Sequence, residues 1–212
     1  MKKLLAVGFC LLGALFVAQA AESGINWKEY GAGIKEGDFI VHGDIGVTAH
    51  SEALPYDGSL KVPYLEASVE YTKKLGGLPL GFGGFIGYAQ DGMDESKSLA
   101  YDSKAKWEGT MNYINVGALL NYHVQLPVEK LDVYAGLRLG LEFYNWKVDY
   151  KYPSVYNSDG TWTYTKTSSD SSGTNFYGGL NLGAQYFFTE KFAANVEVGY
   201  PAFIKVGGTA KF

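Results

Sequence analysis

The chain is nearly free of cysteine: Cys10 is the only one in 212 residues. A disulfide-stapled exported fold is therefore excluded. Charge is scarce as well, at 19%, and Arg138 is the single arginine. That is below the usual quarter, and no acidic or basic block stands out, which excludes a disordered tail and a nucleic-acid partner. Beyond residue 20 no apolar run is long enough to cross a bilayer as a helix, and mean hydropathy is only −0.08. What the chain does have is 28 Gly, 17 Tyr and 12 Phe. Aromatics and glycine at middling hydropathy suit a β-sheet with one apolar face.

The first twenty residues stand apart. Lys2 and Lys3 precede the uncharged apolar run Leu4 to Val17, and Ala18-Gln19-Ala20 offers small residues for cleavage. This pattern predicts a secretory signal peptide over 1–20 rather than a retained helix, for which the run is short. Cys10 lies inside that segment, so the mature chain is expected to hold no cysteine and to be more negative than the formal −4 of the whole. Residues 21–37, with Trp27 and Tyr30, form a separate N-terminal segment, expected on the far side of the membrane the leader crosses, that either caps one end of the fold or remains mobile.

The remainder, 38–212, reads in period two. Leu131, Val133, Ala135, Leu137, Leu139, Leu141 and Phe143 alternate with Asp132, Tyr134, Gly136, Arg138, Gly140, Glu142 and Tyr144. The same alternation begins at Phe39, Leu65, Ile114, Phe176, Ala194 and Ile204; in the last two runs it places Tyr200 on the apolar face and Phe203 on the other. Leu80 to Gln90 is glycine-rich and ambiguous in phase, yet lies where an eighth strand is needed. Strands of about ten residues match the length that crosses a membrane at a tilt.

The connections agree. Thr72 to Pro79, Val124 to Lys130 and Thr189 to Lys191 are short, whereas Ser51 to Lys61, Asp91 to Gly109 and Asn145 to Thr174 are long and polar. The hairpin at Gly199-Tyr200-Pro201 departs from this rule by being short. Short turns at one end and long loops at the other predict an all-β, eight-stranded antiparallel up-and-down transmembrane barrel. A soluble lipocalin-like barrel alternates too, but one face here is too purely apolar to be washed by water.

The chain ends on Phe212, on one face with Ala210, Gly208, Val206 and Ile204. With Val196-Glu197-Val198-Gly199-Tyr200 and Lys205-Val206-Gly207, this end resembles the closing hairpin of opacity-type small outer-membrane barrels, a group that includes OmpX-like and OmpW-like proteins. The resemblance implies location in the outer membrane of a diderm bacterium and Phe212 as the signal read by the barrel assembly machinery. It also implies a role as adhesin, small-solute channel or envelope protein.

Residues counted up from the short turns give the candidate lumen. Asp44, Glu66, Arg138, Glu197 and Lys205 fall near mid-height on polar faces, and closure between the first and last strands brings Asp44 towards Lys205. An eight-stranded interior has room only for side chains, so these five are expected to pair as a plug; the alternative is a proton- or ion-conducting path. Tyr71, Tyr122, Tyr186, Phe188 and Phe212 stand where an interfacial girdle belongs. Trp146, Tyr150, Tyr152, Trp162 and Tyr164 extend into the longest connection, either as a contact surface or as a solvated β-extension. Enzyme chemistry finds no support. His42, His50 and His123 are scattered, and His50 and Ser51 point to opposite faces of a regular strand. No metal or cofactor motif occurs. The expected partners are outer-membrane lipid, the assembly machinery and an extracellular surface ligand, with the barrel a monomer. A narrow channel for small or apolar solutes is the second reading, and a lipid-active enzyme the remote one.

Overall fold

The computed structural model describes residues 25–31, 33–48, 59–98 and 104–212. The predicted signal peptide and the segment His50-Ser51-Glu52 lie outside them. Eight strands run in chain order: β1 Phe39–Thr48, β2 Ser59–Leu75, β3 Leu78–Ser98, β4 Lys104–Gln125, β5 Leu131–Tyr156, β6 Trp162–Phe187, β7 Phe192–Gly199 and β8 Ala202–Lys211. Each pairs antiparallel with the next, and β8 returns to β1, so the sheet closes into a barrel. Among the described residues no helix is long and apolar enough to cross a membrane.

The stagger of the barrel can be read from one hydrogen-bond row. Asp132 pairs with Gln185, Gln185 with Asn195, Asn195 with Gly207 and Gly207 with Asp44. Asp44 then pairs with Glu66, Glu66 with Gly87, Gly87 with Asn115 and Asn115 with Glu142. One circuit therefore climbs ten residues along β5, from Asp132 to Glu142. With eight strands this stagger tilts them by about 40° from the barrel axis, within the range closed barrels adopt.

Side chains sort by the alternation the sequence displays. Leu137, Leu139, Phe176 and Leu180 face outward and are half or more exposed, while Arg138, Tyr64, Tyr113 and Glu70 point in and are buried. An inside that is polar and an outside that is apolar is the arrangement a bilayer selects. Along β5 the outer apolar run from Leu131 to Phe143 is about 30 Å tall once tilted, including both interfacial rims. Phe39, Tyr71, Phe82 and Tyr122 ring the short-turn end, with Phe39 and Tyr71 5.0 Å apart and Tyr71 and Phe82 5.8 Å. Tyr186, Phe188 and Phe212 complete that rim, all more than half exposed.

The phase of β3 is ambiguous in sequence because its inward positions are small. Gly81 faces the Glu70 carboxylate and Gly87 the Tyr64 ring, where a Cβ would collide. The turn from β2 is only Gly76-Gly77, both at positive φ, which glycine adopts without cost.

Three expectations need correction. The long connections are shorter than predicted, because β3 and β4 pair out to Ser98 and Lys104 and β5 and β6 out to Tyr156 and Trp162. Their Ser, Thr and Tyr alternate well enough to continue the ladder. Tyr200 does not face outward: β7 stops at Gly199, and the ring turns in against Tyr177, 4.9 Å away, beside Phe85 and Leu119. Phe203 is not on the inner face. A register shift opposite Val47 and Thr48 leaves it 52% exposed beside Ile204.

Candidate functional site

The five predicted lumen residues meet at mid-height. Arg138 on β5 reaches Glu66 on β2 at 2.8 Å and Glu197 on β7 at 3.0 Å. Lys205 on β8 lies 2.6 Å from Glu66, 2.8 Å from Glu197 and 3.9 Å from Asp44. Tyr64 donates to Glu66 and Tyr134 to Glu197. Arg138 also lies over the Phe85 ring, 4.7 Å from its centre. These groups reach across the lumen from opposite walls, and Phe85, Leu119, Tyr177 and Tyr200 pack together beside Arg138, with Leu119 directly opposite it on β4. Both cations are shared between carboxylates, which is how buried charges become tolerable.

A second cluster was not legible from the sequence. His123 at the end of β4 presents Nε2 to Glu70 at 2.7 Å and Nδ1 to Asp132 at 2.8 Å. With both carboxylates ionised, each only accepts, so both ring nitrogens donate and the three groups form one charged chain. Gln185 donates to Asp132 at 2.9 Å, and Asn121 donates to Glu70. All three charged members are fully buried. The signal was present: Glu70, His123 and Asp132 occupy inward positions close to the short turns. Scattering in sequence concealed what the barrel stagger brings together. His42 lies beside this cluster, within electrostatic reach of Glu70, and its Nδ1 accepts from Asn195 at 3.0 Å.

The N-terminal segment closes the barrel beneath. Tyr30 lies 6.0 Å from the His123 ring and donates to the Leu80 carbonyl. Gly31 packs on Asp132 so closely that a side chain there would overlap it. Tyr30 and Ile34 join Ile40, Phe187 and Ala193 in a buried apolar cluster. Burial pushes the Tyr30 phenol up to about 12. Thr72 ties the segment down by donating to the Lys35 carbonyl at 2.6 Å.

At the other end β3 to β6 run well beyond the apolar band. The outer face changes character in one row: Ile114 and Phe143 are followed by Asn112, Asn145 and Ser172, then by Lys147 and Asp170. The five predicted contact residues do not form one surface. Trp146 and Tyr150 sit on the face continuous with the lumen, opposite Met111 and Trp107, with Tyr152 beyond them. Tyr164 is on the other face under Lys151, 5.0 Å away, and Trp162 packs on Tyr156 at 5.0 Å. At the tip the Thr161 hydroxyl and amide donate to Asp159, holding its carboxyl below the usual value. Among the described residues no cluster of His, Cys, Asp and Glu could hold a metal ion.

Residues 7–211 match a family model described as outer membrane protein beta-barrel domain. The chain belongs to this family. Membership places the protein in the outer membrane. Three solved structures are similar in fold. Ail, the attachment invasion locus protein of Yersinia pestis, is 12% identical with a TM-score of 0.42, over 84% of this chain and 100% of that one. OprG of Pseudomonas aeruginosa is 13% identical with a TM-score of 0.41, over 88% and 99%. The N-terminal barrel of Pseudomonas aeruginosa OprF is 12% identical with a TM-score of 0.37, over 84% and 98%. No curated protein matches the chain.

Proposed function

We propose that this outer-membrane barrel is closed to solutes and acts through its surface, with the outer parts of β3 to β6 standing on the extracellular side to meet a partner. The observation that carries this reading is strand length. β5 and β6 have 26 residues each, whereas β1, β7 and β8 have 10, 8 and 10. The excess makes a four-stranded sheet that a channel does not need, reaching roughly 35 Å along β5 past the apolar band. Its tip exposes Tyr152, Val155 and Tyr156, the kind of aromatic surface that supplies contact area at low entropic cost. The charged crossing at Arg138 and Lys205 and the N-terminal segment beneath both support a shut lumen. In this reading residues 1–20 direct export and are removed, Phe212 addresses the assembly machinery, and no catalysis is required.

Orientation is tested by single cysteines on intact cells. Ser158→Cys at the tip should react with a membrane-impermeant maleimide, and Glu129→Cys in a short turn should not. The reverse pattern would overturn the proposal.

A further inference from the structure

We infer that the outward groove across β4, β5 and β6 at the upper edge of the apolar band is a binding site for one phosphorylated glycolipid of the outer leaflet. A shallow cavity there is lined by Asn112, Ile114, Phe143, Asn145, Ser172 and Thr174. Ile114 and Phe143 are opposite one another, 46% and 42% exposed, and form its lower wall. They continue directly into the lipid-facing row of Val116 and Leu141 below. The groove is therefore an extension of a surface already covered by acyl chains, which is where a lipid's tail would lie.

One row higher the chemistry changes to that of a sugar or amide headgroup. Asn112 and Asn145 are paired across strands, and Asn145 is paired with Ser172. Asn112 is held in place because its Oδ1 accepts from Gln90 at 2.8 Å and from Tyr88 at 3.0 Å. Exposed amides and hydroxyls immediately above an apolar wall suit a ligand that is itself divided between tail and polar head.

Cationic groups complete the match. Lys147 stands in the next row, between Thr110 on one side and Asp170 on the other. Two rows further, Lys106, Lys151 and Lys166 lie directly opposite one another on three neighbouring strands. Three like charges in one row are unfavourable unless something offsets them. Glu108 and Asp149 beneath pair with Lys106 and Lys166, while Lys151 rests on the Tyr164 ring. Lys147, which faces Asp170 across the strands and lies within electrostatic reach of Asp149, is the cation nearest the groove, and a phosphate oxygen is a strong acceptor for an ammonium. Apolar wall, polar row and cation follow each other in the order of tail, sugar and phosphate.

The assignment rests on the proposed orientation only for which leaflet supplies the lipid. Its test is made in symmetric particles, where orientation has no effect. The folded barrel would be placed in phosphatidylcholine nanodiscs containing a diphosphorylated, acylated glucosamine disaccharide, and retained lipid counted by native mass spectrometry. One molecule should stay bound to the parent. Lys147→Glu, and separately Ser172→Trp, which fills the groove, should each reduce retention about tenfold, on the scale of one charge-assisted hydrogen bond. Lys191→Glu at the opposite rim should leave it unchanged. Retention by both groove variants at the parent's level, or retention of phosphatidylglycerol by the parent as strong as that of the glycolipid, would overturn the site. Heat-modifiable migration of each variant shows that it is folded, so a failed barrel cannot pass for lost binding. Failure here with correct cysteine labelling on cells would leave the proposed function standing.

Discussion

Replacing Arg138 with Met removes the group that joins β5 to β2 and β7 through the lumen. The guanidinium donates to Glu66 at 2.8 Å and to Glu197 at 3.2 Å. Without it, Lys205 is the cation that remains ion-paired with Asp44, Glu66 and Glu197 among the described residues. Breaking a buried pair from one side costs about 3–5 kcal/mol, chiefly because the abandoned charge stays desolvated. Met fills a similar length and keeps some packing on Phe85, so the loss should be mostly electrostatic. Glu66→Gln made alongside should recover about 1–3 kcal/mol, since one of the stranded charges disappears. Arg138→Lys should cost less than Arg138→Met, keeping the charge but losing one of the two forks. Urea unfolding in lipid vesicles, followed by tryptophan emission, gives all four corners of the cycle. A parent and Arg138→Met of equal stability, or additive effects in the double variant, would refute the view that these charges hold the barrel together.

Other consequences are equally direct. His123→Leu should destabilise by about 3 kcal/mol or more, because Glu70 and Asp132 then lack the cation between them; the same urea titration measures it. Leu137→Lys, midway up the outer face of β5, should cost about 2–4 kcal/mol in vesicles, whereas a water-exposed barrel would hardly notice it. Gly31→Val should displace the N-terminal segment from Asp132, read as faster proteolysis near Tyr30 with the barrel itself still resistant. Deleting Phe212 removes the closing rung in which its amide and carbonyl pair with Phe39 at 2.9 and 3.0 Å, and should leave the chain unassembled in the periplasm; normal heat-modifiable barrels from that variant would contradict it.

Strand number, order and facing were legible because a bilayer outside and a packed lumen inside enforce period two on nearly every strand. The exceptions have local causes. β3 lost its signal because Tyr64 and Glu70 occupy the space its own inward side chains would have used. Tyr200 and Phe203 broke phase at the tight hairpin, where the register shift lies. The lumen cluster around Arg138 could be found by counting from the turns, since charges on an apolar-faced strand have only the interior to occupy. His123 escaped the same count because a histidine signals charge only when its neighbours are known, and Glu70 and Asp132 come from other strands. The outgrowth looks like long connections in the sequence, with a β-extension legible only in the longest, because its Ser and Thr residues resemble turn formers until partners for them are in place.

A shut lumen beneath a projecting sheet carries no current, and planar-bilayer recording of the folded chain checks this. The parent should give a flat baseline at all voltages the membrane withstands. Discrete, reproducible current steps from the parent barrel would contradict it.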